Sequence, residues 1–246
     1  MKIADYGIDK PERVRGLGMV GLVLIGTGLA AFIGLQGSVE DWPELILTIC
    51  LWLGVLCWIG AGIMLWSSKS GKIILATRMV NELRWMGREK VLDVGCGRGL
   101  LTILCARKAP QGEIIGIDTW SSEHLTDNTI EGARENAATE RVDHLVRFED
   151  GDATDLRYGH NSFDKIVSSL CLHAIGSRPI RNKAVTHLVK MVRPGGEIAI
   201  LDILHTREYM KIFQQQGLKN IRRSKMTMLY CLPTRYVIGE KKLAGE

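Results

Sequence analysis

The chain has 246 residues, 46% of them hydrophobic and 24% charged, with a formal net charge of +5. Those averages exclude collagen-like, disulfide-scaffold and wholly disordered chains. They also hide a division. Gly16 to Ser68 carries only three charges, all acidic (Glu40, Asp41 and Glu44), whereas Lys69 to Glu246 carries 28 Lys and Arg against 21 Asp and Glu.

Residues 1–15 form a short segment with Lys2, Lys10, Arg13 and Arg15. Leu17 to Leu35 is uncharged, and as a helix it spans about 28 Å, close to the ~30 Å hydrocarbon core of a bilayer. A second uncharged run extends from Leu45 to Ser68, after an acidic turn from Gln36 to Glu44. Residues 16–68 therefore read as a transmembrane helical hairpin, each span satisfying its own backbone hydrogen bonds. A signal peptide fits less well, because the first run exceeds the usual ~7–15-residue apolar core and a second span follows. A buried core hairpin would show a polar face, and neither run does. Lys69 and Lys72 follow the second run, and no Lys or Arg stands between the runs. The positive-inside rule then places both termini and the remaining chain in the cytoplasm, with Trp42 and Trp66 as interfacial anchors. Gly18, Gly26, Ala30 and Gly34 lie on one stripe, which suits a close helix contact within the hairpin or between chains, and hence a homo-oligomer. The general abundance of Gly in membrane helices explains the stripe equally well.

The six cysteines form no CxxC pair and no Cys/His cluster with zinc spacing, so free thiols and no metal are expected. Residues 69–246 suffice for one compact domain. Lys72 to Met86 reads as an amphipathic helix, with a hinge at Ser70-Gly71. Strands are expected at Glu89–Val94, Glu113–Asp118, His144–Glu149, Asp164–Leu170, Glu197–Leu204, Arg222–Leu229 and Arg235–Gly239. Helices are expected at Leu100–Lys108, Thr126–Thr139, Ile180–Val192 and Arg207–Gln216. Arg193-Pro194-Gly195-Gly196 reads as a turn. This alternation implies an α/β fold, a doubly wound, mostly parallel sheet covered on both faces. Ligands bind such sheets at the carboxyl ends of the strands, near the switch point.

Three strand ends carry the signal. The first strand runs into Asp93-Val94-Gly95-Cys96-Gly97-Arg98-Gly99. A dinucleotide fingerprint would need Gly where Leu100 stands. The carboxylate of Asp93 is also a poor neighbour for a pyrophosphate but a good one for an ammonium. Both points argue against NAD and for S-adenosylmethionine, whose methionine end is a zwitterion beside a sulfonium. Asp118 ends the second strand, where an acid accepts from ribose hydroxyls, and Trp120 is placed to lie against adenine or simply to pack. After the third strand, Asp152 is placed to accept from the adenine amino group, and Ala153 leaves room for the ring.

The words VLDVGCGRG, IIGID, ENAATERVDHLVRFEDGDA, FDKIVSSLCLH and VRPGGEIAILD resemble class I S-adenosylmethionine-dependent methyltransferases, in particular the small-molecule, ubiquinone-biosynthesis-like ("type 11") group. The closing YVIGEK looks like that fold's antiparallel last strand. The opening YGIDKP with the hairpin resembles a bacterial membrane-anchored branch. The resemblance implies a seven-stranded Rossmann-like sheet. It implies that Asp93, Gly95 and Gly97 hold the methionine part while Gly99 lets the helix pack. Asp118 would bind ribose, Asp152 and Ala153 adenine, and Ser168 or Ser169 would line the floor. The polar stretch Ser121 to Asn128 departs from the pattern, as a substrate loop or a capped helix start.

Methyl transfer needs alignment and exclusion of water, and a base only where the nucleophile must lose a proton. His173, just past the fourth strand, is the candidate base, with Asp202 and His205 weaker candidates and Cys171 expected to pack. The membrane anchor suggests a small, lipid-like, quinone or hydrophobic thiol acceptor. Arg222, Arg223, Lys225, Lys241 and Lys242 read as a solvated face or an anionic-lipid contact. Without interleaved aromatics they do not make a nucleic-acid surface. A non-catalytic, membrane-tethered sensor or scaffold is the alternative.

Overall fold

A computed structural model describes residues 3–34, 42–123 and 125–243. Helix α1 (Pro11–Gly34) and helix α2 (Trp42–Trp66) form an antiparallel pair that leaves most of its apolar surface uncovered. Both are long and apolar enough to cross a membrane, and only 11% and 6% of their most apolar windows are buried. A core helix of a soluble protein would be mostly covered. Most of the expected acidic turn, 36–41, lies outside the described residues.

The contact between the two helices is not made by the stripe read from the sequence. A Cβ on Gly18, Gly26 or Gly34 would meet nothing, whereas one on Gly21 would fall 2.4 Å from the Trp58 ring and one on Gly28 would fall 2.7 Å from Cys50 Cβ. Gly21 and Gly28 stand seven residues apart, two helical turns, and so share a face. Gly54 meets that face from α2, with Ile25 2.7 Å from where its Cβ would be.

Helix α2 does not hinge at Ser70-Gly71. A π-helical turn, Ser67–Gly71, carries it into α3 (Lys72–Asn81) without a break. The helix stops five residues before the expected Met86. There the Glu89 carboxylate accepts hydrogen bonds from the backbone N–H groups of Met86 and Gly87, which fixes a turn ahead of the sheet.

Seven strands follow: β1 (Lys90–Val94), β2 (Glu113–Asp118), β3 (Val146–Asp150), β4 (Phe163–Ser169), β5 (Val192–Asp202), β6 (Lys219–Arg223) and β7 (Arg235–Glu240). Their order is β3-β2-β1-β4-β5-β7-β6, parallel except for β7, which pairs antiparallel with both β5 and β6. This is the doubly wound architecture expected from the sequence. The intervening helices are α4 (Leu100–Lys108), α5 (Ile130–Thr139), α6 (Arg178–Met191) and α7 (Thr206–Gln215). Helix α5 starts at Ile130, because the Thr129 hydroxyl caps it by accepting from the Gly132 N–H at 3.1 Å. The expected Arg193–Gly196 turn is instead an irregularity within β5, where pairing jumps from Phe163–Val192 to Lys165–Glu197.

The period of two along each strand sorts the core onto two faces. Val91, Ile114, Val167 and Ala199 pack with α3, α4 and α5. Leu92, Ile115, Ile166 and Ile200 pack with α6 and α7. Helix α3 contributes Leu75, Ala76, Met79 and Val80, all essentially buried, so the apolar hairpin is continuous with the sheet's own covering layer. The strand order reverses between β1 and β4, and the carboxyl ends of those two strands define the crevice.

Candidate functional site

At that crevice lies a cavity of about 240 Å³. Its floor is the loop after β1. Gly95 takes φ +72° and sits so close to the loop after β4 that a Cβ would fall 2.2 Å from Cys171 Sγ. Only glycine meets both conditions. The Gly95 and Cys96 N–H groups donate to Ile117 O at 2.8 and 3.0 Å, which ties this loop to the end of β2.

Asp118 organises the rim. Its Oδ2 accepts from Gly97 N at 2.8 Å, and its Oδ1 accepts from Trp120 N at 2.8 Å and Asn128 Nδ2 at 3.1 Å. The carboxylate thus sets the glycine loop and the start of the 121–128 stretch together, and it remains partly open to the cavity.

Asp93 is fully buried beneath the loop. Thr102 Oγ1 donates to its Oδ2 at 2.7 Å, while Oδ1 has no partner among the described residues. Burial pushes the carboxyl up to about 7; the Thr102 hydroxyl opposes the shift and the Asp118 charge adds to it. An orphaned carboxylate oxygen on a cavity wall is costly unless a cation or donor meets it. It fits the ammonium of an amino-acid group, as the sequence suggests.

On the β4 side, Ser169 lines the cavity, whereas Ser168 is buried and its hydroxyl donates to Val94 O at 2.8 Å, across to β1. His173 lines the cavity on a short 3₁₀ turn, Leu172–Ala174. Its backbone N–H donates to Asp202 Oδ2 at 2.9 Å, and its Nδ1 stands 2.7 Å from Asp202 Oδ1, too poorly aligned for a directed hydrogen bond. Asp202 is itself buried and also accepts from the Tyr209 hydroxyl at 3.1 Å.

The cavity therefore brings together Asp93, Gly95, Gly97, Asp118, Ser169 and His173. Gly99, Trp120, Asp152 and Ala153 do not line it. Gly99 takes φ +84° at the start of α4, with Phe148 3.1 Å from where its Cβ would be, in keeping with a packing position. The Trp120 ring packs edge-on against Phe148 at 6.5 Å between centroids. Asp152 is exposed and accepts from Thr154 N and Oγ1 at 2.7 and 2.8 Å, while Ala153 packs against the second core cluster. The polar stretch contributes Ser121, Leu125 and Asn128 to the wall.

The largest surprise is the N-terminal segment. Tyr6, Asp9 and Lys10 line the cavity. Ile8 N donates to Thr126 Oγ1 at 2.7 Å, and Asp9 bridges to Leu125. Lys72, the first residue of α3, donates to Tyr6 O, Gly7 O and Asp9 Oδ2 at 2.8, 3.0 and 3.1 Å. Residues 5–10 are thus a strap across the cavity mouth, pinned by the residue that follows α2 and its π-turn. Tyr230, from the loop between β6 and β7, closes the same side. The sequence singled out YGIDKP as a word but gave no hint that it folds back onto residues 98–136. Asn128 and Tyr230 had no signal beyond their polarity, and Lys72 was legible only as a basic flank of the second apolar run and the start of the helix after it.

A family model described as a methyltransferase domain matches residues 87–234. Methyltransferase GfsG of Streptomyces halstedii is 33% identical over 115 residues, 47% of this chain and 38% of that protein. Demethylmenaquinone methyltransferase of Symbiobacterium thermophilum is 29% identical over 115 residues, 46% of this chain and 42% of that protein. The chain thus spans about two-fifths of the length of these curated relatives. A solved SAM-dependent methyltransferase from Aquifex aeolicus superposes with a TM-score of 0.52 over 67% of this chain and 88% of its own, at 17% identity, a likeness of fold. The family match covers more than half of the chain and contains β1 through β6 with the glycine loop, Asp118 and His173, so the chain belongs to the methyltransferase-domain family.

Proposed function

We propose that this chain is a membrane-anchored, S-adenosylmethionine-dependent methyltransferase acting on a small, apolar acceptor that resides in or at the bilayer. The observation that carries the reading is the cavity itself. An unpartnered buried carboxylate and a glycine loop lie at the switch point, under a strap whose two anchors lead directly into apolar helices. The contact of Asp9 with Lys72, 3.1 Å, brings the start of α1 and the stretch after α2 to the same side as the domain. That supports a two-span topology with both ends cytoplasmic, given the basic flanks.

When bound, S-adenosylmethionine supplies a methyl group on a sulfonium, already activated for in-line displacement. Asp93 holds the ammonium, and Asp118 presents its remaining lone pairs to hydroxyls while fixing the glycine loop. Tyr6, Leu125 and Tyr230 exclude water from the cavity. His173 accepts the acceptor's proton at Nε2, with the Asp202 carboxylate beside Nδ1 stabilising the ring's cation. Demethylmenaquinone methyltransferase, among the relatives, bears the name of a quinone substrate, which is consistent with an apolar acceptor here.

The test uses the full chain in lipid nanodiscs, titrated calorimetrically with S-adenosylmethionine and with NAD, followed by transfer of a labelled methyl group into a bacterial lipid extract. Binding of the first nucleotide alone, with label entering the organic phase, is expected. A folded protein that binds without transfer would replace the enzyme by a tethered sensor. One that binds neither would end the cofactor reading.

A further inference from the structure

The loop between β6 and β7 is unusual for its position. From Met226 to Thr234 it holds nine residues without a charge, Met-Thr-Met-Leu-Tyr-Cys-Leu-Pro-Thr, flanked by Lys225 and Arg235. Thr227 and Thr234 bridge its base, with N–H to O distances of 3.1 and 2.9 Å, so the tip between them projects as a unit. Met226, Met228 and Leu232 are 56%, 57% and 45% exposed. Hairpin tips in water are built from Gly, Asn, Asp and Ser rather than from Met and Leu.

The tip packs along the end of α2. Cys231 Sγ donates to Ile63 O at 3.2 Å, and Gly71 lies so close to Leu229 O that a Cβ there would fall 1.8 Å from it. Ile63 precedes Trp66 by three residues, which at 1.5 Å per residue sets Cys231 roughly 4.5 Å deeper along the helix than the expected interfacial Trp66. The same tip turns Tyr230 into the cavity. Behind it lie Arg207, Arg223 and Arg235, close enough for the two neighbours to depress the Arg223 pKa, after burial as the larger cause. Lys241 does not belong to this patch. It follows β7 at the opposite end of that strand from the loop, where it donates to Val192 O at 2.8 Å.

We propose that the loop of residues 224–234 is a membrane-dipping wall of the cavity: Met226, Met228 and Leu232 enter the acyl region of the cytoplasmic leaflet, Lys225 and Arg235 rest on anionic headgroups, and Tyr230 faces the acceptor. The inference rests on the anchored reading above and adds to it a lateral opening, through which an amphiphile passes from the bilayer to the cavity without crossing water. Exposed apolar side chains rimmed by basic residues and contiguous with a span are what such a surface requires.

The experiment places a coumarin amino acid in the full chain at Met228, at Trp52 within α2, or at Ile180 on α6. Each protein is reconstituted into nanodiscs of phosphatidylcholine and phosphatidylglycerol, with or without brominated acyl chains. Bromine is expected to quench the probes at 228 and 52 at least about twofold and to leave the probe at 180 unchanged, the contact-range behaviour of acyl-buried groups. Quenching at 52 but not at 228 overturns the membrane-dipping loop while the spans stand, and leaves the tip to water or to a second copy. Absence of quenching at both overturns the anchored reading and this inference together. Leu232 serves as a second loop position, with circular dichroism as the check of folding, should the Met228 substitution unfold the chain.

Discussion

Replacing Asp93 with Asn separates two roles that the structure gives one carboxyl. The folded chain holds this group near pKa 7, against an ordinary 3.8, chiefly through burial. In the free protein at pH 5 only about one molecule in a hundred then carries the anion, so a cationic ligand that needs it binds roughly 100-fold more weakly than at pH well above 7. The sign for stability runs the other way. The native state keeps its proton where the unfolded chain has lost it, so rising pH destabilises the fold from about pH 4 to about pH 7, by up to ~4 kcal/mol for the full shift. Asp93→Asn abolishes both effects, because its amide oxygen can take the place of Oδ2 as the acceptor from Thr102 but the side chain never ionises. Calorimetry with S-adenosylhomocysteine on the detergent-solubilised full chain, from about pH 5 to about pH 7.5, should show wild-type affinity climbing about tenfold per unit at the acid end. The variant should show weak, pH-independent binding and a higher melting temperature than wild type near pH 7.5. Flat wild-type affinity across that range, or an Asn variant that binds normally, would refute the assignment of Asp93 to the ligand's ammonium.

Asp118→Ala removes three hydrogen bonds that join the glycine loop to Trp120 and Asn128; cofactor binding should fall below detection and thermal unfolding should report a loss of about 2–4 kcal/mol. His173→Ala should leave calorimetric cofactor affinity within about twofold and lower turnover by about 10²–10⁴; unchanged turnover would remove the base role. Gly71→Val sets a side chain against Leu229 O, and melting of the purified variant should show about 2 kcal/mol or more of destabilisation. Removal of residues 1–68 deprives Lys72 of three acceptors and uncovers the cavity mouth, so the truncated domain should bind cofactor at least about tenfold more weakly than the full chain in the same titration.

The central sheet was legible because its signals are local. Val91-Leu92, Ile114-Ile115 and Ile166-Val167 are apolar pairs in runs too short for helices, and the first two strands run into Gly95 and Asp118, where the chain leaves the sheet. Asp93, Gly95, Gly97 and Asp118 were legible for the same reason, since the strand carries them to the crevice whatever surrounds it. Trp120 and Asp152 show the limit of that logic. Position just past a strand end places a Cα near the crevice, but the side chain follows its own backbone. Trp120 takes φ +58° and turns its ring onto Phe148, and Asp152 spends its carboxylate on the Thr154 backbone and hydroxyl.

The strap was illegible for a different reason, and that reason bears on how the molecule is built. Ile8 and Asp9 meet Thr126 and Leu125 across more than 110 residues, and nothing in a local pattern encodes such a pairing. What makes it form is the geometry of the hairpin. The antiparallel helices α1 and α2 return the chain to its starting level, so the residues before α1 and after α2 must be neighbours, and Asp9 meets Lys72. The continuous π-turn then passes that position rigidly into α3, whose buried face is part of the sheet's covering layer. The apolar hairpin is thus more than a tether on a flexible linker. Its two ends are structural members of the cavity wall, so a perturbation that tilts one helix against the other should act directly on Tyr6, Asp9 and Lys10 where they line the cavity.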